Sequence, residues 1–283
     1  YLVVRTPKPG LEDIIPVVKS EKLARFILRH LMEVYQQADA VWTVNEATVE
    51  TLRDYGYTGP VTIIANGTDL EAARPAQRRS SAAVRVAGEL GLDDDTPVFF
   101  FIGQHIWQKN LRMLMDALHI LKNDILKSKS DQLPFRMIFI GGGDAAEELN
   151  NIARDYHLTA EVKFLGIIRD REFVRGMYER ADLLLFPSLY DTSALVLRES
   201  AAALCPIVLI EGSSIAEGIT DGYNGFLSAN SPESFAEKIG LILNKPDLRF
   251  TVGLNAQKTL FRTWNTVVSE VYAEYERIVS FHK

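Results

Sequence analysis

Short apolar runs alternate with longer stretches of helical periodicity from Pro97 to about Leu243. Each run has the length of a buried strand, and each stretch that follows repeats apolar residues every three or four positions. Strands that alternate with helices build βαβ units, whose strands run parallel and whose helices cover both faces of the sheet. The alternation therefore predicts an α/β chain with a Rossmann-like domain. The predicted strands are 98–102, 135–140, 162–165, 183–186, 207–210 and 225–227.

The first 72 residues carry part of a second pattern of this kind. Apolar residues recur with a helical period over 17–36, and two short strands, 40–44 and 61–65, enclose a helix at 46–54. Two strands and two helices are too few for a complete sheet. The chain opens without methionine on Tyr1-Leu2-Val3-Val4-Arg5, which reads like the middle of a strand. We therefore expect a fragment that lacks much of its N-terminal domain.

These patterns divide the chain into three parts. We expect residues 1–72 to be the C-terminal portion of one Rossmann-like domain and residues 73–262 to be a complete second one. Residues 68–95 are polar, alanine-rich and charged, so they are predicted to be a linker with one helix at 82–90. Residues 263–283 are predicted to form a final helix.

Composition excludes several classes of function. The net charge of −6 at pH 7 argues against general nucleic-acid binding, which needs a basic surface. No apolar run reaches the roughly 18 residues that a membrane-spanning helix requires. The single cysteine, Cys205, cannot form an internal disulfide, and a buried structural thiol is the simplest interpretation. These features predict a cytoplasmic protein without a nucleic-acid partner.

Two carboxylates flank the turn that follows the strand 183–186. Asp191 lies in the polar loop after Phe186-Pro187-Ser188, and Glu199 lies in the helix predicted from about residue 193. In an open parallel sheet, ligands bind at the carboxyl ends of strands, and helix N-termini offer free N–H groups to anions. A carboxylate on each side of this turn suits a ligand with both sugar hydroxyls and phosphates. Taken singly, Asp191 also fits a helix cap, and Glu199 fits a solvated acid.

The loop after the strand 98–102 has features of a phosphate site. Gly103 allows a tight turn and a close approach to a ligand, and Lys109 precedes the next helix. His105 lies within the same loop. A solvated lysine on a first helical turn explains Lys109 equally well.

The chain offers no clear pattern for a metal or a dinucleotide. No pair of histidines has metal-ligand spacing, and the acidic run Asp93-Asp94-Asp95 precedes a strand and fits loop charge. Gly141-Gly142-Gly143 lacks the spacing of the dinucleotide fingerprint, so it is interpreted as a strand-to-helix turn that needs positive φ. We therefore expect a metal-independent site without a cofactor.

These segments follow one another in the order found in a known family. From about Ala40 to Tyr275 the chain resembles the retaining glycosyltransferases of family 4, which have the two-domain GT-B fold. The resemblance rests on Ala38-Asp39-Ala40-Val41, Asn66-Gly67-Thr68-Asp69, Phe101-Ile102-Gly103 with Lys109-Asn110, Phe164-Leu165-Gly166, Ala181-Asp182-Leu183, Phe186-Pro187-Ser188, Asp191 through Glu199, Glu217 with Asp221-Gly222, and Asn224-Gly225-Phe226-Leu227.

The resemblance implies a donor site for a nucleotide-diphosphate sugar. Glu199 matches the acid that contacts the donor ribose, and Asp191 matches the acid near the donor sugar's hydroxyls. Lys109 matches the lysine that binds the diphosphate, so Asp191 and Lys109 are the implied catalytic residues. The other implied donor contacts are Gly103, Gln104, the base-side residues Gly166 and Ile167, and the backbone N–H groups of Ser193, Ala194 and Leu195.

Three positions depart from the family pattern. Asp191 replaces the commoner glutamate, and Gln104 replaces an arginine near the diphosphate. Thr192, Ser193 and Ala194 replace the usual glycines of the sugar-facing loop. These departures leave the identity of the donor open.

The resemblance also implies a reaction. A hexose would move from a nucleotide-diphosphate sugar with retention at the anomeric carbon, and a UDP-sugar is favoured because UDP is the commonest donor nucleotide in such families. The acceptor would be a sugar or a lipid-linked envelope glycan, bound across a cleft by the N-terminal domain, to which the final helix returns. Two alternatives stay open: a non-catalytic nucleotide-sugar-binding or scaffolding module, and a sugar-nucleotide epimerase of the same fold.

The N-terminal segment suggests a membrane partner. Residues 1–36 carry six Lys or Arg and four Asp or Glu, in a chain whose net charge is −6. An amphipathic helix of this charge suits peripheral association with the inner face of an anionic bilayer. An ordinary helix that faces a protein core explains the same pattern.

Overall fold

The computed structural model describes residues 2–6, 10–74, 80–126, 134–189, 191 and 195–281. The strands are β1 (Val3–Arg5), β2 (Ala40–Thr43), β3 (Val61–Ile63), β4 (Val98–Ile102), β5 (Arg136–Ile140), β6 (Val162–Phe164), β7 (Leu183–Leu185), β8 (Ile207–Ile210) and β9 (Phe226–Ser228). The α-helices are α1 (Leu11–Val18), α2 (Glu21–Tyr35), α3 (Glu46–Asp54), α4 (Ser81–Leu90), α5 (Leu111–Ile120), α6 (Ala146–Asp155), α7 (Arg171–Arg180), α8 (Leu195–Ala202), α9 (Pro232–Leu243), α10 (Pro246–Leu260) and α11 (Trp264–Phe281).

The chain divides into two compact units. Unit 1 consists of residues 1–67 and 262–283, and unit 2 consists of residues 68–261. The divisions therefore fall five residues before the predicted boundary at 72/73 and one residue before the predicted boundary at 262/263.

Unit 2 is built on a parallel sheet with the strand order β6-β5-β4-β7-β8-β9. The chain adds β5 and β6 on one side of β4, then crosses to the other side and adds β7, β8 and β9. The order reverses between β4 and β7, and sheets of this kind bind ligands in the crevice beyond the carboxyl ends of those strands. The α/β class with Rossmann-like parallel strands is confirmed.

The central strands of unit 2 are apolar on both faces because helices cover both faces. Phe99, Phe100 and Phe101 of β4 are fully buried. The Phe100 ring meets the Tyr178 ring edge-on at 4.8 Å, and the Phe99 ring lies 5.6 Å from the Phe135 ring. Burial of each such ring contributes about 1.5–3 kcal/mol. Strands buried on both faces appear in a sequence as unbroken apolar runs, which made them predictable.

The helix predicted at 82–90 is confirmed as α4, but it belongs to the core of unit 2 and not to a linker. α4 packs along α7, where Gly176 allows so close an approach that a Cβ would lie 2.4 Å from the Ala82 carbonyl oxygen. Val86 and Leu90 are buried in the core of the unit. The alanines that suggested a linker are the small side chains of a closely packed helix.

Unit 1 contains the parallel sheet β1-β2-β3 with helices on both faces. Successive residues of a strand point to opposite faces. Trp42 lies in a cluster with Val267 and Ile278 of α11, whereas Val41 lies in a cluster with Met32 of α2. The predicted final helix therefore packs on one face of this sheet, and α2 packs on the other.

Two predicted helices are divided in the structure. The helix predicted over 17–36 is α1 and α2, because Lys19 takes a left-handed backbone with φ 53° and Ser20 caps α2 by accepting from the Leu23 N–H. The helical periodicity between the predicted strands 98–102 and 135–140 corresponds to α5, which is followed by a π-helical segment, Leu121–Leu126.

Candidate functional site

The ammonium group of Lys109 faces the carboxylate of Asp191 at the carboxyl edge of the unit 2 sheet. Its Nζ lies 2.6 Å from both Oδ1 and Oδ2 of Asp191. The two side chains are only 11% and 18% exposed. The Lys109 Nζ also lies 5.8 Å from the centre of the Phe186 ring. The structure thus brings together the two residues proposed from the sequence as catalytic.

Asn110 fixes the backbone next to Lys109. It adopts a left-handed conformation with φ 59°, which asparagine tolerates better than most residues. Its Nδ2 donates to the Pro187 carbonyl oxygen at 3.3 Å and to Asn230 Oδ1 at 2.8 Å. The turn that carries Lys109 is therefore tied to the loop after β7 and to the loop after β9. Asn230 has no sequence signal beyond its place after a strand, and the sequence reasoning missed it.

Glu199 is held by a buried tyrosine. Its Oε2 accepts a hydrogen bond of 2.7 Å from the Tyr178 hydroxyl, and Tyr178 is fully buried. Burial raises the pKa of the Glu199 carboxyl, whereas the hydrogen bond from Tyr178 lowers it. The sequence reasoning also missed Tyr178. Its one signal was a tyrosine on the buried face of α7, where a hydroxyl needs a partner.

Two further charges act on Glu199. After burial and the Tyr178 hydrogen bond, the positive charge of Arg171 lowers the pKa of the Glu199 carboxyl and the negative charge of Asp69 raises it. Arg171 and Asp69 form an ion pair with each other, and both are well exposed. Exposed pairs contribute little to stability. Their effect is to place a nearly neutral pair of charges beside Glu199.

Glycines allow three turns to meet at this edge. The Gly103 N–H donates to the Ile140 carbonyl oxygen at 3.0 Å, and the Gly141 N–H donates to the Gly166 carbonyl oxygen at 2.8 Å. Gly141 has φ +130°, and a Cβ there would lie only 1.9 Å from the Gly103 carbonyl oxygen. Gly143 also has positive φ. The interpretation of residues 141–143 as a turn that needs positive φ is confirmed, and close approach of the backbones is a second reason for glycine.

The other predicted donor contacts are placed only in part. Ile167 follows Gly166 and is 73% exposed beside Gly142, which belongs to the turn at residues 141–145 (the glycine turn). Gln104 is exposed after Gly103, and Leu195 begins α8. Ser193 and Ala194 lie outside the described residues.

His105 lies beneath this edge rather than on it. Its side chain is 1% exposed. The ring centre lies 6.1, 6.0 and 6.1 Å from the rings of Phe101, Phe139 and Phe164, respectively. Burial lowers the pKa of the His105 imidazole. A ring in this position does not present a nitrogen to a ligand at the edge.

Two further observations concern the described part of the chain. It contains no group of three or more His, Cys, Asp or Glu side chains that could hold a metal ion. None of its helices has the length and apolar character of a membrane span.

Solved structures of glycosyltransferases share this architecture. HepE from Anabaena, in complex with UDP and glucose, has a TM-score of 0.79 and 19% identity, over 97% of this chain and 71% of that chain. Sucrose-phosphate synthase from Thermosynechococcus elongatus has a TM-score of 0.79 and 18% identity, over 98% of this chain and 68% of that chain. At this identity the likeness shows the fold, which is of the GT-B type.

Curated proteins with glycosyltransferase names match this chain over part of their own length. The D-inositol 3-phosphate glycosyltransferase of Streptomyces bingchenggensis is 26% identical over 98% of this chain and 59% of that protein. An uncharacterized glycosyltransferase of Methanocaldococcus jannaschii is 25% identical over 66% of this chain and 46% of that protein. The chain thus spans about half the length of the curated relatives it matches.

A family-level match covers most of unit 2. The family described as glycosyl transferases group 1 matches residues 86–259, which is more than half of the chain. The matched segment contains the Lys109 turn, the glycine turn, and the loop and helix that carry Asp191 and Glu199. The chain therefore belongs to the glycosyl transferases group 1 family.

Proposed function

We propose that this chain carries the donor site of a retaining hexosyltransferase of family 4 that works without a metal. The observation that carries the proposal is the Lys109–Asp191 pair at the point where the strand order reverses. A cation beside carboxylates at the carboxyl edge of a parallel sheet matches a donor that has a diphosphate next to sugar hydroxyls. The UDP in the HepE complex supports a UDP-sugar as that donor.

Five of the described residues have a stated role in the proposed site. Lys109 contacts the diphosphate, Asp191 accepts from hydroxyls of the donor sugar, and Glu199 accepts from the ribose. Ile167 offers an exposed apolar surface to the base. The N–H groups at the start of α8, which include Leu195, face the diphosphate.

The reaction needs stabilisation of negative charge on the leaving diphosphate. Lys109 and preorganised N–H groups supply it without a metal. Asp191 keeps Lys109 in place before the donor arrives, at 2.6 Å. Both acids contact the donor in this proposal, so neither is free to act as the nucleophile of a double displacement. Attack on the face that the diphosphate leaves is the route that gives retention.

Unit 1 holds the acceptor in this proposal. The acceptor is a sugar or a lipid-linked envelope glycan, and the protein works in the cytoplasm at the inner face of the membrane.

A membrane contact is supported by α2, whose exposed apolar side chains Leu23, Phe26 and Ile27 alternate with basic ones, Lys22, Arg25 and Arg29. Co-sedimentation with anionic and zwitterionic phospholipid vesicles tests the contact. Absence of the protein from the pellets of both vesicle types would contradict a membrane contact.

Calorimetric titration with UDP-glucose tests the donor site. Wild-type protein is expected to bind, and E199Q is expected to bind about 10- to 100-fold more weakly, since a charge-assisted hydrogen bond contributes about 1.5–3 kcal/mol. E172Q is the matched control, because Glu172 lies on the exposed surface of α7. Failure of wild-type protein to bind UDP-glucose, GDP-sugars and ADP-sugars alike would contradict the proposal.

A second candidate function is a non-catalytic nucleotide-sugar-binding or scaffolding module. Gln104, exposed where the family has an arginine, favours it because the diphosphate site has one positive charge fewer. Transfer separates the two candidates. An α-linked product from an α-linked donor, seen by NMR in the presence of EDTA and absent with K109M, supports the retaining, metal-independent enzyme. Binding without transfer by the full-length protein supports the module.

A further inference from the structure

His105 attaches the donor loop to the glycine turn, where the donor loop is residues 103–110 and the glycine turn is residues 141–145. The His105 N–H donates to the Gly142 carbonyl oxygen at 2.9 Å, and the His105 carbonyl oxygen accepts from the Ala145 N–H at 2.9 Å. A Cβ at Gly143 would lie 2.6 Å from the same carbonyl oxygen. Two backbone hydrogen bonds of His105 therefore join the loop that carries Lys109 to the glycine turn.

The side chain of His105 fills an apolar space beneath that attachment. Its ring lies among Phe101, Phe139 and Phe164, and neither ring nitrogen has a hydrogen-bond partner among the described residues. Burial of a polar group without a partner is unfavourable. The space is thus suited to a hydrocarbon, and it accepts an imidazole only in the uncharged form.

Among the described residues, no charged group is paired with this ring. β4 carries no charged residue, and the charged residues on the other surrounding elements are Arg136 on β5, Lys163 on β6, Asp144 in the glycine turn and Lys109 in the donor loop. Arg136 donates to the Ala160 carbonyl oxygen at 2.9 Å, and Lys109 is paired with Asp191. Within the described part of the chain, His105 forms no ion pair, and burial alone lowers the pKa of its imidazole.

We propose that His105 is a positioning residue that holds the donor loop against the glycine turn only while its ring is uncharged. This inference rests on the proposed function, because Lys109 on the same loop is the proposed diphosphate contact. A charged ring must leave the three phenylalanines, and the loop moves with it. The sign follows from the lowered pKa: the attachment is intact above the unfolded-state value of about 6.5, and it is lost as the pH falls through the lower pKa of the folded ring.

The test compares wild-type protein with H105L by titration with UDP-glucose from about pH 7.5 down to about pH 5. A nucleotide sugar is used because the terminal phosphate of free UDP titrates near pH 6. At the upper pH the two dissociation constants are expected to agree within about threefold, since leucine fills the same space. At the lower pH the wild-type constant is expected to rise severalfold more than that of H105L, because only the wild-type protein has an imidazole at this position that can take up a proton. Glu199 titrates in both proteins and cancels in the ratio.

H119L is the matched control, because the His119 ring packs on Tyr156 at the surface of α5 and should leave the wild-type profile unchanged. Parallel profiles of wild type and H105L would overturn the role of His105. Weak binding by folded H105L at the upper pH would also overturn it, because a direct contact of the ring with the donor would then be required. If H105L does not fold by circular dichroism, H105M takes its place. No binding by wild type at the upper pH contradicts the proposed function itself.

Discussion

Lys109 and Asp191 form a largely buried ion pair, so the charge of each side chain compensates the charge of the other. Removing one partner of such a pair leaves an uncompensated charge, at a cost of about 3 kcal/mol or more. We expect K109M and D191N each to lower the free energy of unfolding by about this amount, measured by urea denaturation. The double variant K109M/D191N is expected to recover at least half of the loss, because no lone charge remains. UDP-glucose binding should stay weak in K109M and in the double variant.

The pair of Lys238 and Asp221 is the matched control for this cycle. Its side chains are 25% and 46% exposed, and K238M should lower the free energy of unfolding by about 1 kcal/mol or less. If the loss of unfolding free energy in K109M/D191N equalled the sum of the losses in K109M and D191N, the coupling of Lys109 with Asp191 would be contradicted.

Tyr178 acts on Glu199 through one hydroxyl. Y178F keeps the ring against Phe100 and removes the hydrogen bond of 2.7 Å. Burial raises the pKa of the Glu199 carboxyl and the Tyr178 hydrogen bond lowers it, so the variant should raise it further. We expect UDP-glucose binding to weaken about tenfold. As the pH is lowered, binding should be lost at a higher pH in Y178F than in wild type, measured by titration at a series of pH values. Y156F removes a hydroxyl from the surface Asp116 instead and should leave both quantities unchanged.

The residues of the proposed site that could be predicted from the sequence are those fixed by strand ends. Gly103 and Asp191 follow strands that the apolar runs reveal, and parallel strands bring their carboxyl ends to one edge. Tyr178 was not predictable, because a helical period shows which face of α7 is buried but not which residue of α8 that face meets. Asn230 was missed for a similar reason, since its contact with Asn110 joins residues 120 positions apart.

At the scale of elements, the contact between α4 and α7 depends on one glycine. A Cβ at Gly176 would lie 2.4 Å from the Ala82 carbonyl oxygen and 2.9 Å from Val86 Cγ2. We expect G176A to force the helices apart and to lower the free energy of unfolding by about 1–3 kcal/mol. G88A on α4 is the control, because a Cβ there meets nothing within 4 Å. G88A should raise the free energy of unfolding by about 0.5–1 kcal/mol, since alanine favours a helix. A neutral G176A would contradict the close contact.

Element boundaries show what local pattern cannot supply. The predicted strands 98–102 and 207–210 match β4 and β8, because apolar residues buried on both faces leave a visible run with sharp ends. The division between α1 and α2 depends on Lys19 with φ 53°, a conformation that lysine rarely adopts. The apolar pattern on either side of that residue predicted one helix, whereas the left-handed Lys19 and the Ser20 cap give two.

For the whole molecule, the division into two units separates the proposed donor site from the sheet of unit 1. All the described residues of the proposed site lie within 68–261. The core of unit 1 includes residues from both ends of the chain, since Ala40 and Trp42 cluster with Val267 and Ile278. Loss of the α11 side chains from that cluster should therefore lower the stability of unit 1 before that of unit 2.

Ile278 tests this separation, because its side chain is buried beside Trp42 whereas Val268 on the same helix is exposed. An aspartate at 278 places an unpaired carboxylate in an apolar cluster, which is unfavourable by several kcal/mol. I278D should therefore lower the free energy of unfolding of unit 1 by about 3 kcal/mol. V268D should have little effect on unfolding. Tryptophan emission reports the change during urea denaturation, since two of the three tryptophans, Trp42 and Trp264, lie in unit 1. UDP-glucose affinity should stay within about threefold of wild type in both variants, because compact units of one chain have separate cores. If I278D abolished UDP-glucose binding while V268D preserved it, the donor site would depend on the fold of unit 1, contrary to this expectation.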